Sequence, residues 1–269
     1  MKLYKYSIVL IFGMLLAACK KEGTLLMEPV SAYKPFSMVG YIMGDTLEQY
    51  FDGKKVRDFY GLAQFTGKIA FQGESTEMEL RKKSTGEVMY KQTYYAANED
   101  NIMPKFFFDG QSMAERYTYR DVEPGKYLSN FYFDTQFGTD PVDLIVEVQE
   151  YYFDWSKDDP FVYFDPVTVP LFSGLKPGQW SEYLEIPPIE ELVMPQHPSE
   201  YYFNTQVFVK NARTGEFYAA KKDLSWFILA FPMQGSSEGR IQSFHITLKK
   251  NGIWQNYLST RDLVQFFPR

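Results

Sequence analysis

The chain has 269 residues and a formal net charge of −6, with 28 basic and 34 acidic side chains, one cysteine, two histidines and an aromatic share of 18%. One cysteine allows neither an intramolecular disulfide nor a cysteine-built zinc or iron–sulfur cage, and an acidic balance without a basic block excludes nucleic acid as the main partner. A hydrophobic share of 45% suits a packed core and excludes general disorder, at a length that fits one large or two small domains.

The first element in chain order is a targeting segment. Lys2 and Lys5 precede an apolar run from Ile8 to Ala18, broken only by Gly13. The run is too short to cross roughly 30 Å of hydrocarbon as a helix, and it has the length of a signal-peptide core. It ends in Leu16-Ala17-Ala18-Cys19, small residues placed directly before the lone cysteine. This order resembles the lipobox of bacterial lipoproteins. The resemblance implies that residues 1–18 are removed, that Cys19 is lipidated and that residues 19–32 form a flexible tether. Several acyl chains would then hold the protein on a membrane without spanning it. Removal of residues 1–18 takes two lysines with it and moves the net charge from −6 to −8. No Asp follows Cys19, so the inner-membrane retention signal of lipoproteins is absent. Lys21-Glu22-Gly23 resembles, with a single acidic residue, the export signals of Bacteroidetes-type surface lipoproteins. Together these imply an outer-membrane lipoprotein in the cell envelope, with the periplasmic and the outer face both open to it.

From Tyr33 onward, segments rich in Tyr, Phe, Val, Ile and Thr are punctuated by Gly, Asp and Pro every 8–12 residues, the pattern of a sandwich or barrel. The clearest predicted strands are 126–133, 142–150, 201–210, 224–231 and 244–248. In the last, Phe244, Ile246 and Leu248 alternate with His245 and Thr247, which puts His245 on the polar face of a half-buried strand. Hairpin turns are expected at Asp52-Gly53, Asp109-Gly110, Asn251-Gly252 and Lys176-Pro177-Gly178. Helical periodicity is confined to 189–193 and 262–266. The expected fold is all-β, an antiparallel β-sandwich of immunoglobulin-like or jelly-roll-like type in two tandem domains. Pro187, Pro188, Pro195 and Pro198 mark 187–198 as the linker between 33–186 and 199–269. Two segments, 80–88 and 209–217, align without a gap around Thr-Gly-Glu. That is explained by good turn chemistry or by a pair of related domains.

Chemistry-bearing patterns are sparse. Gly235-Ser236-Ser237-Glu238-Gly239 fits the hydrolase G-x-S-x-G pattern, which needs a strand before the serine and a helix after it, whereas the following residues alternate like a strand. His197 lies among prolines, and neither it nor His245 has a partner at metal-ligand spacing. Asp134, Asp143, Glu147, Glu150 and Asp154 at strand ends are the carboxylates from which a glycosidase pair could be drawn. The loop Asp154-Trp155-Ser156-Lys157-Asp158-Asp159 places oxygen side chains at positions 1, 3 and 5 and Asp165 at position 12. Asp154, Ser156, Asp158 and Asp165 are the calcium ligand candidates, although the EF-hand Gly and Glu are replaced by Asp159 and Asp165 and no helices flank the loop, so a solvated turn is the favoured reading and no cofactor is expected.

Aromatic triplets occur at Phe106-Phe107-Phe108, Phe131-Tyr132-Phe133, Tyr151-Tyr152-Phe153 and Tyr201-Tyr202-Phe203. Successive strand side chains face opposite ways, so each triplet needs both faces covered or leaves rings in solvent. Exposed rings with polar tips stack on sugars or grip a partner protein; buried ones merely reflect the β-propensity of Tyr and Phe. Tyr151, with Trp155 and Trp180 in loop-like contexts, are the candidate ligand-binding residues, while Trp226 and Trp254 read as core. The leading expectation is a non-catalytic, lipid-anchored envelope β-sandwich with a binding or accessory role, for which glycan capture at the surface is one candidate. An adhesion or assembly component binding another envelope protein comes second, and a glycan hydrolase using paired carboxylates third.

Overall fold

Strand-forming residues dominate from Ala32 onward, and in the computed structural model, which describes residues 30–197, 200–219, 222–232, 237–250 and 256–269, they form three sheets. The targeting segment with Cys19, the Asn251-Gly252 turn and Trp254 lie outside the described residues.

Residues 32–114 build the first sheet. Its strands are β1 (Ala32–Phe51), β2 (Lys54–Phe71), β3 (Ser75–Lys82), β4 (Val88–Tyr95), β5 (Asn101–Ile102), β6 (Phe106–Phe108) and β7 (Met113–Ala114). The order is β4-β3-β1-β6-β7, with β2 antiparallel and β5 parallel to β1. The β1–β2 hairpin turns at Asp52-Gly53, both at positive φ, as the sequence expects. Its ladder breaks twice: Ile42 pairs with Gly61 and Leu47 with Phe59, so Met43–Thr46 bulges against the single residue Tyr60, and a second shift falls between Gln49 (opposite Arg57) and Tyr50 (opposite Lys55). Gly44 (φ +77) makes the bulge feasible, because a Cβ there would lie 2.7 Å from the Asp109 carbonyl oxygen. Phe36, Met38 and Ile42 of β1 pack with Phe71, Met78, Leu80, Phe106 and Phe108 to form this half's core.

The remaining strands are β8 (Tyr127–Phe133), β9 (Val142–Phe153), β10 (Phe161–Tyr163), β11 (Val167–Leu175), β12 (Leu184–Glu185), β13 (Tyr202–Asn211), β14 (Trp226–Phe227), β15 (Arg240–Lys250) and β16 (Asn256–Asp262). They form an inner sheet, β12-β8-β15-β16, and an outer sheet, β10-β9-β13-β14, with β11 on the free edge of β9. The two sheets bury Phe131, Phe133, Phe244 and Ile246 against Leu144, Val146, Val148, Val207, Val209 and Phe227. Burying each such side chain stabilises by about 1.5–3 kcal/mol before chain entropy is counted.

The all-β sandwich expectation holds, with departures from antiparallel pairing: β8 and β15 run parallel over Tyr127–Phe133 and Arg240–Ile246, and β5 and β6 run parallel to β1. The expected boundary at 187–198 does not hold. β8 pairs with β15 and β9 with β13 across that stretch, so the sheets divide instead between residues 114 and 127. Prolines there forgo ladder hydrogen bonds, yet Ile186 and Ile189 are buried in the sandwich core, and Leu192 and Val193 pack against it. The predicted helices shrink to single turns, Ile189–Leu192 and a 3-10 turn at Leu263–Gln265 capped by the Asp262 side chain. Of the predicted strand 224–231, only Trp226–Phe227 forms a ladder.

The two Thr-Gly-Glu segments fold alike, one in each half. Lys82 and Asn211 each donate N–H to the Glu87 or Glu216 carbonyl, at 2.8 and 2.9 Å. Gly86 and Gly215 (φ +74 and +72) donate back to Lys82 and Asn211. Each Glu N–H reaches the preceding Thr hydroxyl at 3.3 Å. The strand orders around them differ, so turn chemistry suffices to explain the likeness.

A third apolar cluster joins the halves. Tyr41, Met43 and Phe107 of the first sheet meet Tyr117, Tyr132, Leu263 and Phe267, with Trp180 and Phe266 packed at its rim.

Candidate functional site

The outer face of the sandwich is set by the alternation of β9. Val142, Leu144, Val146 and Val148 are fully buried, so Asp143, Ile145, Glu147, Gln149, Tyr151 and Phe153 point away from the core. Strand register then brings rings together across three strands: Tyr163 and Tyr202 both pair with Tyr151, and Phe161 pairs with Phe153. Tyr151 lies parallel to Tyr202 with ring centroids 5.4 Å apart and 5.6 Å from Tyr163. Phe153 sits 4.9 Å from Phe161 and stacks at 5.3 Å and 7° on Trp155, the first residue of the loop to present a ring. Trp155 is 78% exposed, and Phe161, Tyr163 and Tyr202 are exposed too. The result is a ring platform at one end of the sheet that no element covers among the described residues.

Polar side chains continue the same face. Gln149 stands opposite Asn204 and Glu147 opposite Gln206; farther along, Phe208 pairs with Trp226. Glu147, Gln149, Asn204, Gln206, Trp226 and Ile228 line a pocket of about 260 Å³. Lys222 pairs with Glu147 at its margin, and Gln149 Nε2 donates to the Phe164 carbonyl at 3.3 Å. Rings at one end, then amides, a carboxylate and a half-exposed indole make a surface that can stack on flat faces and hydrogen-bond hydroxyl groups.

Of the residues that the sequence singles out for ligand binding, the structure brings Tyr151 and Trp155 together here. It does not bring Trp180, whose ring contacts Tyr117 and Tyr132 at 5.4 and 5.6 Å in the cluster between the halves. Trp226, expected in the core, is on the outer face because its neighbour Phe227 takes the inward direction. Sequence reasoning did not single out Phe161 and Tyr163, and it reached Tyr202 only as a member of an aromatic triplet. A signal existed: Phe161 and Tyr163 mirror Tyr151 and Phe153 across the 154–160 loop, as the arms of a hairpin would.

The calcium candidates are not gathered into a ligand set. Asp154 accepts hydrogen bonds from the Ser156 hydroxyl at 2.6 Å and backbone N–H at 3.2 Å, and pairs with Lys157 at 3.4 Å. The Ser156 hydrogen bonds, then Lys157, hold its carboxyl below the usual range. Asp158 and Asp165 are exposed, and among the described residues no three or more His, Cys, Asp or Glu side chains are grouped to hold a metal. The carboxylates considered for catalysis are dispersed. Asp143 accepts from the Gly174 N–H at 2.9 Å. Buried Glu150 takes the Gln196 and His197 N–H groups, both at 2.7 Å, with the His197 ring stacked 4.1 Å from Tyr152 on the opposite face from the platform. Asp134 is buried on the inner sheet and accepts from Tyr60 at 2.7 Å. Ser237 leads directly into β15, a strand where the nucleophile motif needs a helix. No described helix is long and apolar enough to cross a membrane.

Fold and surface together define an all-β protein with a solvent-facing aromatic platform. No family model matches the chain, and no curated protein matches it. Among solved structures it is similar to a protein described as a "putative cell adhesion protein" from Bacteroides fragilis NCTC 9343. The identity is 8%, covering 82% of this chain and 84% of that one, with a TM-score of 0.19. So low a TM-score carries no argument about what this chain does.

Proposed function

We propose that the protein is a non-catalytic cell-envelope lipoprotein that binds a glycan along the outer sandwich face. The observation that carries this reading is the exposed, register-aligned row Tyr163–Tyr151–Tyr202 with Phe161, Phe153 and Trp155 beside it. Monomeric proteins rarely leave such an apolar patch uncovered without a use for it. Gln149, Asn204 and Gln206 supply donors and acceptors of the kind that sugar hydroxyls need, and Trp226 offers a second stacking ring farther along. Anchoring through Cys19 would place this face at the membrane surface.

Affinity electrophoresis through gels containing neutral polysaccharides tests the reading. Retardation by at least one polysaccharide is expected, and it should weaken in Trp155→Ala and Tyr202→Ala proteins that melt like the parent. At ~0.5–1.5 kcal/mol per ring contact, each substitution should weaken binding roughly 2- to 10-fold. No retardation by any polysaccharide, together with cross-linking of the platform to another envelope protein, would transfer the face to the adhesion reading. Incorporation of labelled fatty acid that disappears in Cys19→Ser tests the anchor.

A further inference from the structure

A second site lies between the two halves, away from the aromatic platform. Strand alternation puts His245, Thr247 and Lys249 on one face of β15, and the antiparallel register sets Arg261 opposite His245 and Ser259 opposite Thr247. Tyr60, Gly61 and Leu62 of β2 face these residues, and the group encloses a pocket of about 180 Å³. The bulge in β1 opposite Tyr60 bends the hairpin so that Tyr60 reaches this face.

Most polar groups here are already committed. Tyr60 donates its hydroxyl proton to Asp134 Oδ2 at 2.7 Å, and Asp134 Oδ1 takes the Thr135 N–H at 2.7 Å. At 3.5 Å from His245 Nε2, the Tyr60 oxygen can then only accept, which assigns the imidazole proton to Nε2. Nδ1 consequently accepts the Tyr41 hydroxyl at 2.9 Å. Burial, opposed by Asp134 and reinforced by Lys249, pushes the His245 pKa down to about 4, so the ring is neutral. The Thr247 hydroxyl donates to the Ser259 carbonyl at 3.2 Å.

What remains uncommitted is uniform in character. Arg261, Lys249 and the Ser259 hydroxyl make no hydrogen bond or ion pair among the described residues. No carboxylate lines the pocket. Outside the described residues, the internal segments 198–199, 220–221, 233–236 and 251–255 contain no Asp or Glu, and residues 1–29 contain only Glu22 and Glu28. A concave site with two positive charges, a free hydroxyl and no carboxylate among its described lining residues, in a chain of net charge −6, is built for an anion.

We propose that this pocket binds an oxyanion, namely a sulfate, phosphate or carboxylate group, held by Arg261 and Lys249 with Ser259 as the third donor. Because β2 and β16 both line it, an occupied pocket ties the two halves together and raises the melting temperature by mass action. The test is calorimetric titration and thermal melting at pH 7 and constant ionic strength with sodium sulfate, phosphate, glucuronate and glucose 6-sulfate. Saturable binding is expected for at least one, weakened at least about tenfold in Arg261→Ala and in Lys249→Ala and unchanged in Lys91→Ala. Both pocket cations are exposed, so the variants should melt like the parent without anion. Tighter binding of the sugar acids than of the inorganic ions identifies an acidic saccharide as the source; equal or weaker binding identifies a free inorganic anion. No saturable response to any of the four, or an Arg261→Ala protein that binds like the parent, overturns the proposal. A Trp155→Ala protein should titrate unchanged, so this outcome is independent of the platform.

Discussion

Four aromatic triplets of near-identical composition meet two fates. Phe106 and Phe108 enter the first core while Phe107 enters the cluster between the halves; Phe131 and Phe133 enter the sandwich core while Tyr132 joins Phe107. In Tyr151-Tyr152-Phe153 and Tyr201-Tyr202-Phe203 only one direction is covered. Tyr152 stacks on His197 and Phe203 packs on the core, but Tyr151, Phe153 and Tyr202 face outward with exposed neighbours. The difference lies in what stands over the sheet. The inner sheet is roofed by the first half of the chain and the outer sheet is not. A ring's role is thus set by the neighbouring layer, which a triplet cannot encode.

The sharpest way to break this comparison is to truncate one ring of each kind. Phe107→Ala removes a ring in edge contact with Tyr117 and Phe267 and should cost about 3–5 kcal/mol in chemical denaturation. Glycan retardation of the remaining folded protein should be unchanged. A loss under 1 kcal/mol would mean that the two halves are not held by this cluster.

The next effect is acid sensitivity at the same junction. His245 faces Tyr41, Tyr60, Tyr132, Asp134, Lys249 and Arg261, and its folded-state pKa of about 4 lies below the ordinary 6.5. Between those values the unfolded chain binds a proton that the folded chain refuses. The stability is therefore complete above pH 6.5 and declines toward pH 4 by up to about 3 kcal/mol. Glu48, Asp58, Glu79 and Asp140, all with carboxyls held low by basic partners, add losses common to parent and variant. The pH dependence of the parent minus that of His245→Gln should isolate the histidine. Identical slopes from pH 6.5 to 4 in both proteins would place His245 in contact with solvent.

Smaller still is Tyr41→Phe, which leaves His245 Nδ1 buried without its donor and should cost about 1–3 kcal/mol. At the far end of the scale, Tyr163→Ala or Tyr202→Ala on the platform should stay within about 0.5 kcal/mol of the parent while weakening glycan retardation. A platform substitution as costly as Phe107→Ala would show that those rings are structural after all. Asp154→Asn should leave the melting temperature unchanged with and without calcium; a calcium-induced rise in the parent that this variant lacks would restore the metal reading.

Much of the local structure was legible. The Asp52-Gly53 turn, the two Thr-Gly-Glu hairpins and the strands around 126–133, 142–150 and 201–210 follow from glycine at positive φ and from β-branched and aromatic runs. The domain boundary was not, because proline frequency marks where ladders stop rather than where cores divide. β8 finds β15 more than a hundred residues away, and no local pattern announces a parallel partner at that distance. His245 shows the same limit at one residue. Its alternation with Phe244 and Ile246 put it on a polar face, yet it is 1% exposed because Tyr41 and Tyr60 of the other half lie over it. For the candidate site, two of the three singled-out rings, Tyr151 and Trp155, lie on the same outer face, and Trp180 lies apart from them, since its ring packs on Tyr117 and Tyr132.

Length, composition and alternation alone determined an acidic, aromatic-rich, all-β chain with no cysteine framework, because propensity, periodicity and turn chemistry act over a few residues. Only the tertiary structure decided which aromatic faces are covered, which histidine is buried and neutral, and which cations have no counter-ion among the described residues. Those properties depend on the second layer packed against each strand, and that layer is supplied by distant segments of the chain.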